Sequence, residues 1–187
     1  MSADASSFTI APATPDDVPL VLALITELAE YEKLAHEVKA TEGLLREALF
    51  NDAPVAHAVI ARTGEGTPAG FALFFFSFST FLGRPGLYLE DLFVRPEFRN
   101  RGLGRQLLAY VARVAVDRGC GRMEWSVLNW NEMALRVYRA IGARHMDEWT
   151  VQRLTGQALE GLASGVRGVG SSDPTNRGPV EAKKGRV

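Results

Sequence analysis

Leu87-Tyr88-Leu89-Glu90-Asp91-Leu92-Phe93-Val94-Arg95-Pro96-Glu97-Phe98-Arg99-Asn100-Arg101-Gly102-Leu103-Gly104 decides the fold of this 187-residue chain. Its first half is an apolar strand interrupted by two acids, and its second half is a turn with two arginines and two glycines. From Leu103 to Arg118 apolar residues recur at helical spacing, and Gly119 stops the helix. Strand, glycine turn and helix together make an anion site. The first amides of a helix have no intrahelical partner, and the dipole places roughly half a positive charge beside them. Glycine lets the backbone approach a ligand closely. The run is not a P-loop, since no Gly-Lys-Ser/Thr follows. It is not a dinucleotide fingerprint either, which needs a third glycine and an acid at the end of the next strand.

Outward from that stretch the elements alternate. Thr14-Pro15-Asp16-Asp17 opens a helix in which Val18, Val21, Leu22, Ile25, Leu28 and Ala29 form one apolar stripe. A second helix starts at Thr41. Val55–Ala61, Gly70–Phe78 and Leu87–Val94 are expected strands, with a Gly- and Pro-containing turn over Arg62–Pro68. Arg122–Leu128 is a further strand, Asn131–Ile141 a short helix stopped by Gly142, and Arg144–Leu154 a last strand. The expected fold is α/β: a central mixed, largely antiparallel sheet flanked by helices, in one domain over residues 7–163. Residues 164–187 lack apolar periodicity and are expected to form a flexible tail.

Composition narrows the function. A net charge of −1 argues against nonspecific nucleic-acid binding. No apolar run reaches membrane-spanning length, and the start of the chain has no basic segment followed by an apolar core. The single cysteine, Cys120, allows no internal disulfide, and no Cys/His cluster has metal-ligand spacing, so no metal is expected. A cytoplasmic setting is the expectation.

The succession from Tyr88 to Gly104, with Trp130-Asn131-Glu132, Tyr138 and Ile141-Gly142-Ala143, resembles the GNAT acetyl-CoA-dependent N-acetyltransferases. Within them it is most similar to the diamine branch, the spermidine/spermine and thialysine enzymes. Glu27-Leu28-Ala29-Glu30-Tyr31-Glu32-Lys33-Leu34 and Gly70-Phe71-Ala72-Leu73 extend the likeness upstream, so that it covers residues 7–154. The resemblance implies acetyl-CoA as co-substrate. Its pantetheine arm would lie along Leu92, Phe93 and Val94, and its pyrophosphate at the turn formed by Arg99, Asn100, Arg101, Gly102, Leu103, Gly104 and Arg105. Asn131 would be a further contact.

Tyr138 matches the family's general acid. Acyl transfer from a thioester expels a thiolate, and a tyrosine, protonated at neutral pH, can supply the proton. By spacing alone Ala134, Val137, Tyr138 and Ile141 form one apolar stripe, which makes Tyr138 a core residue; the family match gives it the catalytic role. Glu90 matches the base. An amine with a pKa of about 10.4 is only about one part in 2,500 neutral at pH 7, so a proton acceptor lowers a real barrier. Strand alternation sends Glu90 and Asp91 to opposite faces, so the two should not share one job, and the resemblance implies Asp91 as an ammonium anchor. Tyr31, Glu32, Glu148 and Trp149 match substrate-lining positions of the diamine branch. Spermidine-type enzymes carry an Asp-Pro-Trp turn where this chain reads Ser79-Thr80-Phe81, one carboxylate fewer. The expected acceptor is therefore a short diamine or a lysine/thialysine-like amino acid. A protein or antibiotic amine, and a CoA-binding sensor without turnover, stay open. Family analogy also implies a homodimer.

Overall fold

The computed structural model describes residues 7–165. Five strands, β1 (Phe8–Pro12), β2 (His57–Thr63), β3 (Pro68–Ser79), β4 (Arg84–Val94) and β5 (Met123–Trp125), lie in one sheet in the order β1-β2-β3-β4-β5. Strands β1 to β4 pair antiparallel, and only β4 and β5 run parallel. Five helices accompany them: α1 (Val18–Tyr31), α2 (Glu42–Phe50), α3 (Leu103–Asp117), α4 (Glu132–Ala140) and α5 (Gly156–Ala163). The chain divides after Gly142 into two units. The sheet and α1–α4 belong to the first, and α5 belongs to the second.

Each element follows from local chemistry. Thr14 donates its backbone N–H and its hydroxyl to the Asp17 carboxylate, both at 2.9 Å, at the 3-10 turn that leads into α1. Thr41 Oγ1 accepts from the Leu44 amide at 3.3 Å and caps α2. Both sheet faces are covered, so the central strands are apolar along most of their length. On one face the α3 stripe of Leu103, Leu107, Leu108 and Val111 meets Val59, Ala72, Phe74, Leu87 and Leu89. On the other, Val18, Val21 and Leu24 of α1 and Leu45 and Leu49 of α2 meet Ile60, Phe71, Leu73 and Phe93. A parallel neighbour for β4 requires a crossover, and α3 supplies it.

Strand β4 carries one irregularity, and it shapes the end of the strand. Leu73 pairs with Asp91 but Phe74 pairs with Leu89, so Glu90 has no partner in β3. This is a β-bulge, and it advances the in/out alternation by one residue. Leu87 and Leu89 pack on the α3 side before the bulge; after it Leu92 and Val94 pack there, and Phe93 turns to the α1 side. Close by, β3 and β4 approach so tightly at Gly70 that a Cβ there would lie 2.4 Å from the Phe93 carbonyl oxygen.

Several expectations need correction. Strand β1 is absent from the sequence-based expectation, because the alternation of Phe8, Thr9 and Ile10 is too short to stand out and the strand ends at Pro12. β5 spans three residues where the pattern predicts Arg122–Leu128. Arg144–Leu154 forms no strand among the described residues: Trp149 and Val151 are exposed, and no ladder supplies the backbone hydrogen bonds a strand needs. Helix α5 comes after it instead. Of the expected tail, residues 164–187, only Ser164 and Gly165 fall within the described residues.

Candidate active site

Pairing between β4 and β5 ends at Leu89↔Trp125. Beyond it β4 continues through Glu90–Val94, while Ser126–Leu128 leave the sheet without strand structure. The two chains splay, and the backbone edge of β4 is left without a β5 partner over its last five residues. Between them lies a cavity of about 410 Å³. One wall is Glu90, Asp91, Leu92, Phe93 and Val94; the other is Ser126–Leu128 with Asn131, Ala134, Val137 and Tyr138. Leu28, Tyr31 and Glu32 come from the end of α1, and Arg99, Asn100, Gly102, Leu103, Gly104 and Arg105 complete the lining.

The turn has the geometry an anion needs. Asn100 (φ 60°) and Gly102 (φ 78°) are left-handed, and Gly102 is the residue that precedes α3. No side chain caps this helix, whose first backbone bond runs from the Gln106 amide to the Gly102 carbonyl. The amides of Leu103, Gly104 and Arg105 thus precede the first intrahelical bond. Arg99 is placed differently from a free phosphate ligand. Its Nε donates to the Val94 carbonyl at 2.9 Å, and its guanidinium lies 4.5 Å over the Tyr31 ring and 5.6 Å from that of Phe93. Arg101 is exposed, lies over Phe98 at 5.7 Å and does not line the cavity. The turn is fixed against α1 by Arg95, which donates to both Glu27 oxygens (2.9 and 2.6 Å) and to the Pro68 carbonyl (3.0 Å).

Three carboxylates, Glu32, Glu90 and Asp91, share the cavity. The bulge is the reason: it cancels the alternation that would have sent Glu90 and Asp91 to opposite faces. Burial first, then the charges of Glu90 and Glu32, push the Asp91 carboxyl up to about 6. Burial also raises Glu32. Tyr138 is pushed above the usual tyrosine range, first by burial and then by the Glu32 charge, so its hydroxyl keeps its proton at neutral pH. Asn131 Oδ1 accepts from the Ala134 amide at 3.2 Å and starts α4, which carries Tyr138.

The cavity therefore gathers Tyr31, Glu32, Glu90, Asp91, Leu92, Phe93, Val94, Arg99, Asn100, Gly102, Leu103, Gly104, Arg105, Asn131 and Tyr138 from the residues the sequence singled out. Glu148 and Trp149 belong to the second unit, where both are exposed. Sequence reasoning missed Ser126–Leu128, the wall opposite the free edge; Val127 and Leu128 continue the apolar pattern past Trp125, so nothing in the sequence marks where the ladder ends. Among the described residues no group of three or more His, Cys, Asp or Glu side chains is arranged to hold a metal. Among them, too, no helix is long and apolar enough to cross a membrane.

A free strand edge running into an uncapped helix start, with a protonated tyrosine across from it, is an arrangement suited to acyl transfer from a long phosphorylated carrier. The chain belongs to the acetyltransferase (GNAT) family, whose family model matches residues 22–143. It is 40% identical over 164 residues to a thialysine N-epsilon-acetyltransferase of Bos taurus, covering 82% of this chain and 96% of that protein. The L-ornithine N5-acetyltransferase NATA1 of Arabidopsis thaliana is 34% identical over 80% of this chain and 85% of its own. Among solved structures, an integron cassette protein from the mobile metagenome of V. cholerae superposes with a TM-score of 0.70 at 26% identity, over 84% of this chain and 98% of that one. The protein is an N-acetyltransferase of the family that takes its acetyl group from acetyl-CoA.

Proposed function

We propose that this enzyme acetylates a primary amine of a small cationic acceptor, a lysine- or ornithine-like amino acid or a short diamine. The observation that carries the reading is the convergence of Glu32, Glu90 and Asp91 on the cavity that holds the free β4 edge and Tyr138. Ionised carboxylates gathered in a half-buried cleft repel one another and lose hydration, and a cationic guest relieves both costs. Relatives named for acting on thialysine and on ornithine support the same class of acceptor.

Residues present here fit acetyl-CoA. The β4 edge along Leu92, Phe93 and Val94, which β5 leaves without a strand partner, suits an amide-bearing arm, and the amides of Leu103, Gly104 and Arg105, beside the arginine charges of the turn, suit a pyrophosphate. When bound, the thioester supplies an activated acetyl group. The chain's own residues then manage protons and position. Glu90 accepts the proton of the incoming ammonium, and Asp91 and Glu32 hold a second cationic group of the acceptor. The amine nitrogen bonds to the acetyl carbon as the carbon–sulfur bond breaks, Tyr138 donates its proton to the departing sulfur, and the second proton of the nitrogen passes to solvent. Solvent returns a proton to Tyr138 and takes one from Glu90. Net, an ammonium and a thioester give an amide, a thiol and one proton.

The reading extends to setting and boundaries: a catalytic domain over residues 7–163, and a cytoplasmic homodimer. Phe78 (63% exposed) and Phe81 (92%) at the β3–β4 turn are apolar surface that supports a covered interface. Initial rates of acetyl-CoA-dependent thiol release over a panel of amines test the proposal. Turnover is expected with lysine-, thialysine- and ornithine-like acceptors and short diamines. Turnover only on peptides or aminoglycosides, or acetyl-CoA binding with no turnover on any amine, would overturn it.

A further inference from the structure

Tyr138 is asked to aim a hydroxyl that has no hydrogen-bond partner among the described residues, so the packing of its ring bears on its direction. The ring rests against Trp125, with centroids 5.1 Å apart and planes 62° apart, an edge-to-face pair. Trp125 is the last residue of β5 and pairs with Leu89, the residue before the bulged Glu90. It therefore stands where the splay begins. None of the residues of α4 is fully buried, and Tyr138 is the one that packs on the core cluster under α3, in company with Trp125. Helix α4 thus has little else to fix its rotation.

We propose that Trp125 is the positioning residue for the general acid, tying the Tyr138 ring to the strand pair that presents Glu90. The indole does not line the cavity. Its effect passes through Tyr138: an edge-to-face contact fixes the ring plane, and with it the arc on which the hydroxyl lies. The inference rests on Tyr138 acting as the acid. Proton transfer by a placed side chain contributes roughly 10²–10⁴-fold, and most of that is lost when the group is misdirected by about an ångström.

The experiment is a double-mutant cycle on the full chain, with Trp125→Leu, Trp125→Phe, Tyr138→Phe and the Trp125→Leu/Tyr138→Phe pair, each checked for cooperative thermal unfolding. Tyr138→Phe is expected to lower kcat by about 10²-fold or more, with acetyl-CoA affinity retained. Trp125→Leu is expected to lower kcat by about 10-fold or more with KM for the amine within about 2-fold, and Trp125→Phe to restore most of the loss. In the Tyr138→Phe background Trp125→Leu should cost less than about 2-fold, because there is no longer a proton donor to aim. Full activity in Tyr138→Phe would remove the acid and the inference together. A large loss in Tyr138→Phe with additive effects in the pair, or with Trp125→Leu near wild type, would overturn the positioning role alone. If Trp125→Leu fails to fold, the same comparison is read from Trp125→Met, which fills space without an aromatic edge, against Trp125→Phe. A kcat in Trp125→Met as high as in Trp125→Phe, or additivity with Tyr138→Phe there, would count against the proposal.

Discussion

Asp91→Asn is expected to make the protein more stable and the enzyme worse. In the folded chain the Asp91 carboxyl is pushed from 3.8 up to about 6 by burial and by the charges of Glu90 and Glu32. A rise of that size corresponds to about 3 kcal/mol set against folding once the group is ionised. The sign follows from proton counts. Between about pH 4 and pH 6 the folded chain still holds a proton that the unfolded chain has released, so stability falls as pH rises through that window. The cost is fully present above about pH 6 and absent below the unfolded value near 3.8. Asparagine cannot ionise, so the variant should gain up to about 3 kcal/mol over wild type at about pH 7.5, and about 1 kcal/mol at about pH 4.5. Urea unfolding at the two pH values, read by tryptophan fluorescence, gives the difference directly. In parallel, kcat/KM for a dicationic amine should fall by about 10-fold or more, since the anchor has lost its charge. A gap between variant and wild type that is the same at both pH values would refute the electrostatic reasoning. Unchanged kcat/KM would refute the assignment of Asp91 to the acceptor.

Other perturbations probe the frame of the site. Gly70→Ala places a methyl 2.4 Å from the Phe93 carbonyl oxygen, which should cost about 1–3 kcal/mol and weaken acetyl-CoA binding by displacing the free edge of β4; an unchanged melting temperature would contradict the close approach. Gly102→Ala has open space around its methyl but a φ of 78°, so a strain of about 1–2 kcal/mol is expected, with KM for acetyl-CoA rising several-fold and KM for the amine little changed. A rise confined to the amine KM would place the pyrophosphate elsewhere. Glu27→Gln leaves the Arg95 guanidinium half-buried without its charged partner. With Arg95 and Glu27 side chains 22% and 33% exposed, solvent screens the pair, and a loss of about 1–2 kcal/mol is expected by chemical denaturation.

The parts of this protein that were legible in its sequence are those encoded locally. The stripe Leu103, Leu107, Val111 announces α3, Gly102 announces the left-handed turn before it, and the apolar stretch around Glu90-Asp91 announces a central strand. The parts that were not legible depend on pairing. A bulge is a mismatch of register between β3 and β4, and neither strand carries it alone; hence Glu90 and Asp91, assigned to opposite faces by alternation, line one cavity. The splay is likewise invisible until β5 is seen to stop at Trp125. Arg99 reads as a phosphate ligand from its place in the glycine turn, but its guanidinium has the Tyr31 face and the Val94 carbonyl within reach, and it takes both. In Arg144–Leu154 the β-formers are present, but propensity yields no strand where no ladder forms.

The claim that the three acids choose the acceptor is tested most directly by two acceptors of equal length and shape, 1,5-diaminopentane and hexylamine. Both present one primary amine to the acetyl group, and only the first brings a second cation. Initial rates of thiol release at saturating acetyl-CoA should give kcat/KM at least about 10-fold higher for the diamine, a difference of about 1.4 kcal/mol or more. That ratio should fall toward one as salt is raised or when Asp91 and Glu32 are both neutralised. Equal kcat/KM for the two amines in the wild-type enzyme would contradict the account.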